Sequence, residues 1–255
     1  MTPSRSILIL VTAMFLALPT AAQELGAFED SFQTEREKEK QDPSENNGEE
    51  DRTSFFAELM ARLIWYGLLS GGITSQERMH SQDPQFPWPR ATGEPLIALI
   101  RSDSSAQMIQ TDLFALDQRI EAGYGAFAAV GRYTFFFETD TPSKIHLWNA
   151  HLLYRMSIAD VMEISPGLGA FGMTGENSYQ GFSLTLPVRV NINRTFSLEM
   201  ISTFNFYPSG AVGSDFEAAV MPDWNGINPR LGWRSYGSSG GGYLQGFFAG
   251  LTLVY

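Results

Sequence analysis

The sequence predicts an all-β fold, a closed antiparallel transmembrane β-barrel of about ten strands with a short N-terminal amphipathic helix. Eight strands are the alternative count. Three observations predict this fold. Apolar and polar residues alternate in segments of strand length over residues 94–255, tight and longer polar connections alternate between these segments, and the chain begins with the features of an export signal. The aromatic content of 13% and the 24 glycines also favour strands and turns over a helical bundle.

The first residues have the three regions of a secretory signal peptide. Arg5 precedes an apolar run over residues 7–18, and small residues follow up to Ala22. We expect cleavage after Ala22, so that residues 1–22 form the signal peptide. The alternative is an uncleaved anchor, although the run has about half of the roughly 20 residues that a membrane-spanning helix needs. The chain has no cysteine, so we expect it to fold without disulfides or thiolate metal sites.

Two segments separate the signal peptide from the barrel. Residues 23–52 are dense in charged and amide side chains, which predicts a disordered acidic linker; a docking tail for a basic partner is the alternative. Within residues 53–93, apolar side chains recur at three- and four-residue steps, which predicts an amphipathic helix over about 55–69 and then a proline-rich connector. This helix would lie at the barrel mouth or on the membrane surface, or it would plug the barrel.

Residues 94–255 are predicted to form the barrel. Each segment has about the length, roughly 9 to 11 residues with some overhang, that a tilted membrane strand requires. An even number of strands returns both chain ends to one side of the membrane. The ten predicted strands are 95–104, 113–124, 127–138, 145–157, 161–172, 181–192, 196–207, 215–224, 227–236 and 244–255.

The last ten residues form an alternating apolar strand that stops on an aromatic residue. This ending resembles the C-terminal signal of Gram-negative outer-membrane β-barrels, with Gly250, Leu253 and Tyr255 at the matching positions and Phe248 where that signal usually has a polar residue. The resemblance implies an outer-membrane location, contact with membrane lipid and recognition of the last strand by the barrel assembly machinery. It concerns the architecture alone, and it leaves open the ligand and the oligomeric state.

If the apolar faces of the strands contact lipid, the charged faces line the lumen. Periodicity alone does not separate this arrangement from a soluble β-sandwich, whose apolar faces point inward. A ten-stranded barrel is narrow, so opposed guanidinium and carboxylate groups would pair across it. The predicted lumen network is Asp117, Arg119, Glu121, Arg132, His151, Arg155, Glu163, Arg189, Glu199, Glu217, Asp223, Arg230 and Arg234.

This pattern indicates a non-catalytic, porin-like barrel in a structural or narrow-channel role, with a lumen that is blocked or open to water and small ions alone. The loops would be available for binding. The alternative is a protease-like outer-membrane hydrolase in which His151 acts as a base with Asp117 or Glu121. A carboxylate contact beside an open cleft at the rim would favour the enzyme, whereas a packed position in mid-lumen would favour the non-catalytic barrel.

Other chemistries are not favoured by the sequence. The net charge of -11 argues against a nucleic-acid partner. Residues 167–172 match the glycine fingerprint of dinucleotide-binding proteins, but no helical pattern follows them, so we expect no cofactor. His146 and His151 are five residues apart on one predicted strand and face opposite ways, which excludes a metal site shared by these two.

Overall fold

The computed structural model describes residues 25–32, 62, 98–140, 143–158, 162–192, 196–222 and 227–254. The predicted signal peptide, Asp223 and Tyr255 lie outside the described residues, and so does the predicted helix over 55–69 apart from Arg62, which is helical. The described part of the chain contains no helix that is both long enough and apolar enough to span a membrane.

The described strands form a closed antiparallel barrel of ten strands, as predicted. Two of the ten are interrupted once, so that β4 continues as β5 and β6 continues as β7. Eight residue pairs between the first and the last strand close the barrel. The segments are β1 Ala98–Met108, β2 Leu113–Tyr124, β3 Phe127–Glu138, β4 Lys144–Tyr154, β5 Met156–Ile158, β6 Met162–Ile164, β7 Gly167–Thr174, β8 Ser178–Asn191, β9 Phe196–Phe206, β10 Val212–Pro222, β11 Ile227–Ser238 and β12 Tyr243–Val254.

The two interruptions have a local cause. Pro166, between β6 and β7, has no backbone N–H to donate to its neighbour. The adjacent strand β8 carries Pro187, whose carbonyl accepts a hydrogen bond from the Ser165 N–H at 2.9 Å. At the other break the N–H of Arg155 donates to the carbonyl of Ala126 at 2.7 Å, in the turn between β2 and β3. A backbone hydrogen bond to a neighbouring segment is therefore present at each break.

The connections define two rims. At the turn rim, β2 and β3 are joined by residues 125–126 with Gly125 at a φ of 60°, and β1 begins and β12 ends at this rim. At the opposite loop rim the strands are joined by residues 109–112, 139–143, 175–177, 207–211 and 239–242. The even number of strands accounts for the position of both barrel ends at one rim.

The first strand extends further along the chain than the sequence predicts, to Met108, while the predicted start at 95–97 lies outside the described residues. The prediction placed it at 95–104, whereas β1 spans Ala98–Met108. Residues 101–107 are almost all polar, so apolar alternation gives no signal there. The structure shows that Arg101, Asp103 and Gln107 face the lumen in this stretch. The prediction failed because it took polarity for the end of the strand.

A helix, α1, is present where the sequence predicts a disordered linker. Residues 25–32 are helical, so the prediction for 23–52 is wrong at this point. Leu25, Phe28 and Phe32 recur at helical spacing and are buried against residues at the loop-rim end of the barrel interior. An isolated helix of eight residues is marginal in water. Packing against the barrel, which the local sequence does not reveal, stabilises it.

Candidate functional site in the barrel lumen

The described part of the lumen contains as many guanidinium groups as carboxylates in ion pairs. Every described residue of the predicted lumen network points inward, and the structure adds Arg101, Asp103 and Asp215, which the sequence analysis missed. The paired residues are Arg101, Arg119, Arg132, Arg155, Arg189, Arg230 and Arg234 with Asp103, Asp117, Glu121, Glu163, Glu199, Asp215 and Glu217.

Glu199 is a carboxylate that several arginines share in the lower lumen, the half of the barrel interior nearer the turn rim. Arg101 donates to it in a bidentate pair, with Nη1–Oε1 at 2.6 Å and Nη2–Oε2 at 2.7 Å. Nη2 of Arg230 lies 2.8 Å from Oε2, and Nη2 of Arg189 lies 3.1 Å from Oε1. Glu199 is 2% exposed, so three guanidinium groups from three other strands neutralise one buried charge.

Asp103 extends this lower cluster along β1 and β2. Its Oδ1 accepts from Nε of Arg101 at 2.8 Å and from the Thr252 hydroxyl at 2.7 Å. Its Oδ2 accepts from Nη1 of Arg119 at 3.1 Å, while Nη2 of Arg119 donates to Glu121 at 2.7 Å. Arginine suits these positions because its planar fork bridges two carboxylates at once, which a lysine ammonium does less well.

A second cluster lies closer to the loop rim. Arg234 forms a bidentate pair with Asp215 at 2.8 and 2.7 Å and also donates from Nη1 to Asp117 at 3.0 Å. Nε of Arg132 lies 2.9 Å from the same oxygen of Asp117, and the Thr134 hydroxyl donates to it at 2.6 Å. Arg234 is on β11, Asp117 on β2 and Arg132 on β3, so this cluster also crosses the barrel.

Glu217 connects the two clusters. It accepts from Arg132 on the upper side and from Arg230 on the lower side. Arg132 lies on β3 and Glu217 on β10, which are not neighbours in the sheet. The chain of ion pairs therefore runs along the lumen and spans it.

Phe248 is the one residue of the last strand that differs from the C-terminal signal of outer-membrane barrels, and its position in the lumen accounts for the difference. Its side chain is buried in the lumen, and the guanidinium of Arg230 lies 5.4 Å from the centre of its ring. An arginine over an aromatic face is a favourable cation–π contact, and it is stronger away from water. At a lumen position that usually carries a polar residue, this ring thus contributes to holding Arg230.

The chain was compared with known proteins. No protein-family model and no curated protein matches it. Among solved structures it is similar to Ail, the attachment invasion locus protein of Yersinia pestis, at 9% identity and a TM-score of 0.35 over 62% of this chain and 98% of Ail. It is also similar to the KdgM porin, at 9% identity and a TM-score of 0.34 over 61% of this chain and 97% of KdgM.

A third similar structure is an anion-selective porin from Comamonas acidovorans, at 7% identity and a TM-score of 0.32 over 56% of this chain. This chain spans about half of that porin, 49% of its length.

The distribution of side chains between the two faces of the sheet decides the class of the protein. Phe247 and Leu231 on the outer face are 64% and 62% exposed, whereas the charged Arg230, directly before Leu231 in the sequence, is 1% exposed. A soluble sandwich has the reverse arrangement. This chain is an outer-membrane β-barrel. Its outer face is apolar, and its location is the outer membrane, where closed antiparallel barrels of this kind reside.

Aromatic side chains flank the lipid-facing band of the barrel at both rims. At the turn rim Phe127 and Tyr154 pack with ring centres 5.5 Å apart, and at the loop rim Phe114 stacks on Phe137 at 6.0 Å. Aromatic girdles of this kind lie at the two membrane interfaces of bacterial barrels. They place the barrel in the bilayer with one rim on each side.

His151 lies inside the barrel and is buried. Its Nε2 is 2.8 Å from the Ser183 hydroxyl, which donates to Oδ1 of Asn205 at 2.7 Å. The Asn205 amide in turn donates to the Tyr236 hydroxyl at 3.2 Å. Since the serine proton goes to Asn205, His151 must donate from Nε2 to Ser183. His146, by contrast, faces outward and contacts the hydroxyl of Tyr133.

The glycine motif over residues 167–172 serves strand packing in this structure. A Cβ added to Gly169 would lie 1.8 Å from the carbonyl oxygen of Ala150 on β4, and one added to Gly172 would meet the indole of Trp148. These two glycines therefore accommodate the backbone of β4 and an outward-facing ring. Among the described residues, no three His, Asp or Glu side chains are arranged to hold a metal ion.

One pattern in the sequence could have revealed the missed lumen residues. Arg101 and Asp103 are two residues apart, so on any strand they share a face. An arginine and an aspartate on one face of a membrane strand must point to the lumen, because neither is tolerated in lipid. Asp215 shares a face with Glu217 for the same reason.

Proposed function

We propose that this protein is a non-catalytic outer-membrane barrel whose lumen is closed by ion pairs, with a structural role and with loop-rim segments available for binding. The network through Glu217 and Glu199 carries this proposal, because it crosses the lumen between strands that are not neighbours. A cavity of about 20 Å³ beside Arg119, Glu121 and Glu163 is large enough for about one water molecule. A groove of about 760 Å³ lies on the outer wall around Ser104, Leu116 and Tyr133, outside the lumen.

Single-channel recording from the refolded protein in a planar bilayer tests the closed lumen. We expect no open-channel current steps for the unmodified chain, since fixed ion pairs occupy the path. A large conductance that increases with salt concentration would contradict the proposal. The same recording on an open variant shows that the assay detects a pore.

The variant Arg132→Ala/Glu217→Ala, combined with deletion of residues 25–32, is designed to open the lumen. It removes both partners of one cross-lumen pair, so that neither is left unpaired. Asp117 and Asp215 keep Arg234, and Arg230 keeps Glu199. We expect this variant to fold and to show current steps. The deletion alone, which leaves the ion pairs in place, is expected to remain closed.

The position of His151 favours this proposal over a hydrolase. Its hydrogen bond goes to Ser183, and Ser183 donates its own proton to Asn205, so His151 is not placed to take that proton. We expect the refolded protein and its His151→Gln variant to give the same background rates on peptide and phospholipid-ester substrates. A rate that the substitution abolishes, with the barrel still folded, would establish the enzyme.

We further propose that β12 is the segment that the barrel assembly machinery recognises, in the way the resemblance of its sequence implies. Gly250 has a packing role of its own, since a Cβ there would lie 2.3 Å from the carbonyl oxygen of Ser104 on β1, at the seam that closes the barrel. The terminal aromatic residue tests recognition instead: Tyr255→Ala should lower assembly in cells more than folding of the same variant in detergent, and equal effects in both would contradict recognition.

A further inference from the structure

The loop-rim end of the barrel interior is an apolar cup above the ion-paired lumen. We call it the mouth cup and define it by Leu113, Phe136, Ile145, Phe171, Tyr207 and Tyr236. These residues come from β2, β3, β4, β7, β11 and the loop after β9, so the cup is formed by most of the circumference. Inward-facing apolar residues are unusual in a lumen that is otherwise charged, and they require an apolar occupant.

In the structure α1 occupies this cup with one face. Leu25, Phe28 and Phe32 are 0–1% exposed. The ring of Phe28 meets Tyr236 edge-on at 5.5 Å, and the ring of Phe32 lies 4.5 Å from that of Tyr207. Aromatic pairs at these distances add specificity to the burial of apolar area.

Polar contacts fix the orientation of α1 in the cup. The buried carboxylate of Glu29 accepts hydrogen bonds from the backbone N–H groups of Glu176 and Asn177 at 3.0 and 2.6 Å. At the start of the helix the N–H of Leu25 donates to the Glu138 carboxylate at 2.7 Å. A carboxylate held by two N–H groups of a loop is a specific contact, because its removal leaves both donors unsatisfied.

We propose that the mouth cup is a binding site for a short amphipathic helix with the spacing of Leu25, Phe28 and Phe32 and a carboxylate at the position of Glu29. Residues 25–32 of the same chain bind reversibly in this site and cover the opening of the barrel at the loop rim. The proposal is independent of conduction, since the ion pairs close the lumen below the cup.

The segment between α1 and β1 is long enough for α1 of the same chain to reach the mouth cup. α1 lies at the loop rim, whereas β1 begins at the turn rim. Residues 33–97 would extend over roughly 200 Å at full length, several times the roughly 40 Å of a twelve-residue strand. Length therefore does not prevent α1 of the same chain from reaching the cup.

A pair of engineered cysteines tests the occupant, because the natural chain has none. In Glu29→Cys/Gly175→Cys the two positions are close, since a Cβ at Gly175 would lie 3.0 Å from the Glu29 side-chain Cδ. We expect oxidation of the refolded full chain to give an intramolecular disulfide. The control Glu29→Cys/Tyr124→Cys, with the second cysteine at the turn rim, is expected to remain reduced.

Each other outcome overturns the proposal. A disulfide-linked dimer from the first variant would show that α1 of a second copy fills the cup. Because this variant lacks the Glu29 carboxylate, no disulfide would show that the apolar face of α1 does not hold the helix in the cup. Retained heat-modifiable migration on a denaturing gel shows that the barrel itself has folded in every variant. If the binding of α1 to the cup is contradicted, the proposal of a closed lumen still stands, because the conductance measurement does not depend on the position of α1.

Substitutions within α1 test the specificity of the cup. Added to the cysteine pair, Phe28→Asp is expected to slow disulfide formation roughly tenfold or more, because it places a charge in an apolar cup. Ala27→Asp is the matched control, since Ala27 lies on the exposed face of the same helix. Equal rates for the two would contradict the proposal.

A labelled synthetic peptide with the sequence of residues 23–34 tests whether the cup accepts a helix in trans. It should bind the full chain carrying Phe28→Asp and fail to bind the disulfide-locked protein, whose cup is filled. Binding to both with equal affinity, or to neither, would show that the cup is not the site.

Discussion

Replacing Glu199 with glutamine is expected to lower the free energy of unfolding by about 3–5 kcal/mol. Glutamine preserves the shape of the side chain but removes the charge that Arg101, Arg189 and Arg230 share. These guanidinium groups would then be buried with less compensation, and solvent cannot reach most of them. Urea unfolding of the protein refolded in lipid vesicles, followed by gel migration without heating, measures the change.

The control for this prediction is Asp140→Asn, which removes one negative charge from an exposed position at the loop rim. It should change the free energy of unfolding by less than about 0.5 kcal/mol. In Glu199→Gln/Arg101→Met the two effects should not add, because the second substitution removes one of the guanidinium groups that the first leaves unpaired. A loss below about 1 kcal/mol for Glu199→Gln alone would mean that the network does not hold the barrel together.

The second large effect is expected for Gly169→Ala, at about 1–3 kcal/mol of lost stability. A Cβ at this position would lie 1.8 Å from the Ala150 carbonyl oxygen and 2.8 Å from Cα of His151. Both atoms belong to the backbone of β4, so rotation of a side chain cannot relieve the contact and the pairing of β4 with β7 must shift. The same urea unfolding experiment measures the loss.

Gly131→Ala is the matched control, since it makes the same chemical change in a neighbouring part of the sheet. A Cβ at Gly131 would meet no atom within 4 Å. This variant should therefore be neutral or should gain up to about 1 kcal/mol, because alanine restricts the unfolded chain. Equal stability of the two variants would contradict the close approach of β4 and β7.

The order of the strands and the two faces of each strand follow from the sequence. The predicted segments 113–124 and 127–138 coincide with β2 and β3, because charged residues on one face recur at every second position in the middle of β2 and tight turn residues separate the two segments. The alternation also places arginine and carboxylate residues on the inward face. Where alternation is absent, as around Arg101, the residue pattern predicts no register, and hydrogen bonding to the neighbouring strands determines it.

The pairing of the lumen charges was not predictable from the sequence. Arg101 and Glu199 are 98 positions apart and lie on strands that are not neighbours. Which arginine meets which carboxylate depends on the diameter of the barrel and on the stagger between strands, neither of which a single strand encodes. The role of His151 is a further example, since its partner Ser183 is defined by the packing of β4 against β7 and β8.

The sequence by itself determined that this chain builds strands with one apolar and one charged face, because side-chain alternation is a local property of each strand. The closure of the sheet into a barrel decided that the apolar faces point outward. The tertiary structure alone decided that α1 fills the mouth cup and that Glu199 and Glu217 bridge the lumen. Both depend on residues far apart in the chain meeting in space, and a segment such as 25–32 becomes a helix through the surface that receives it.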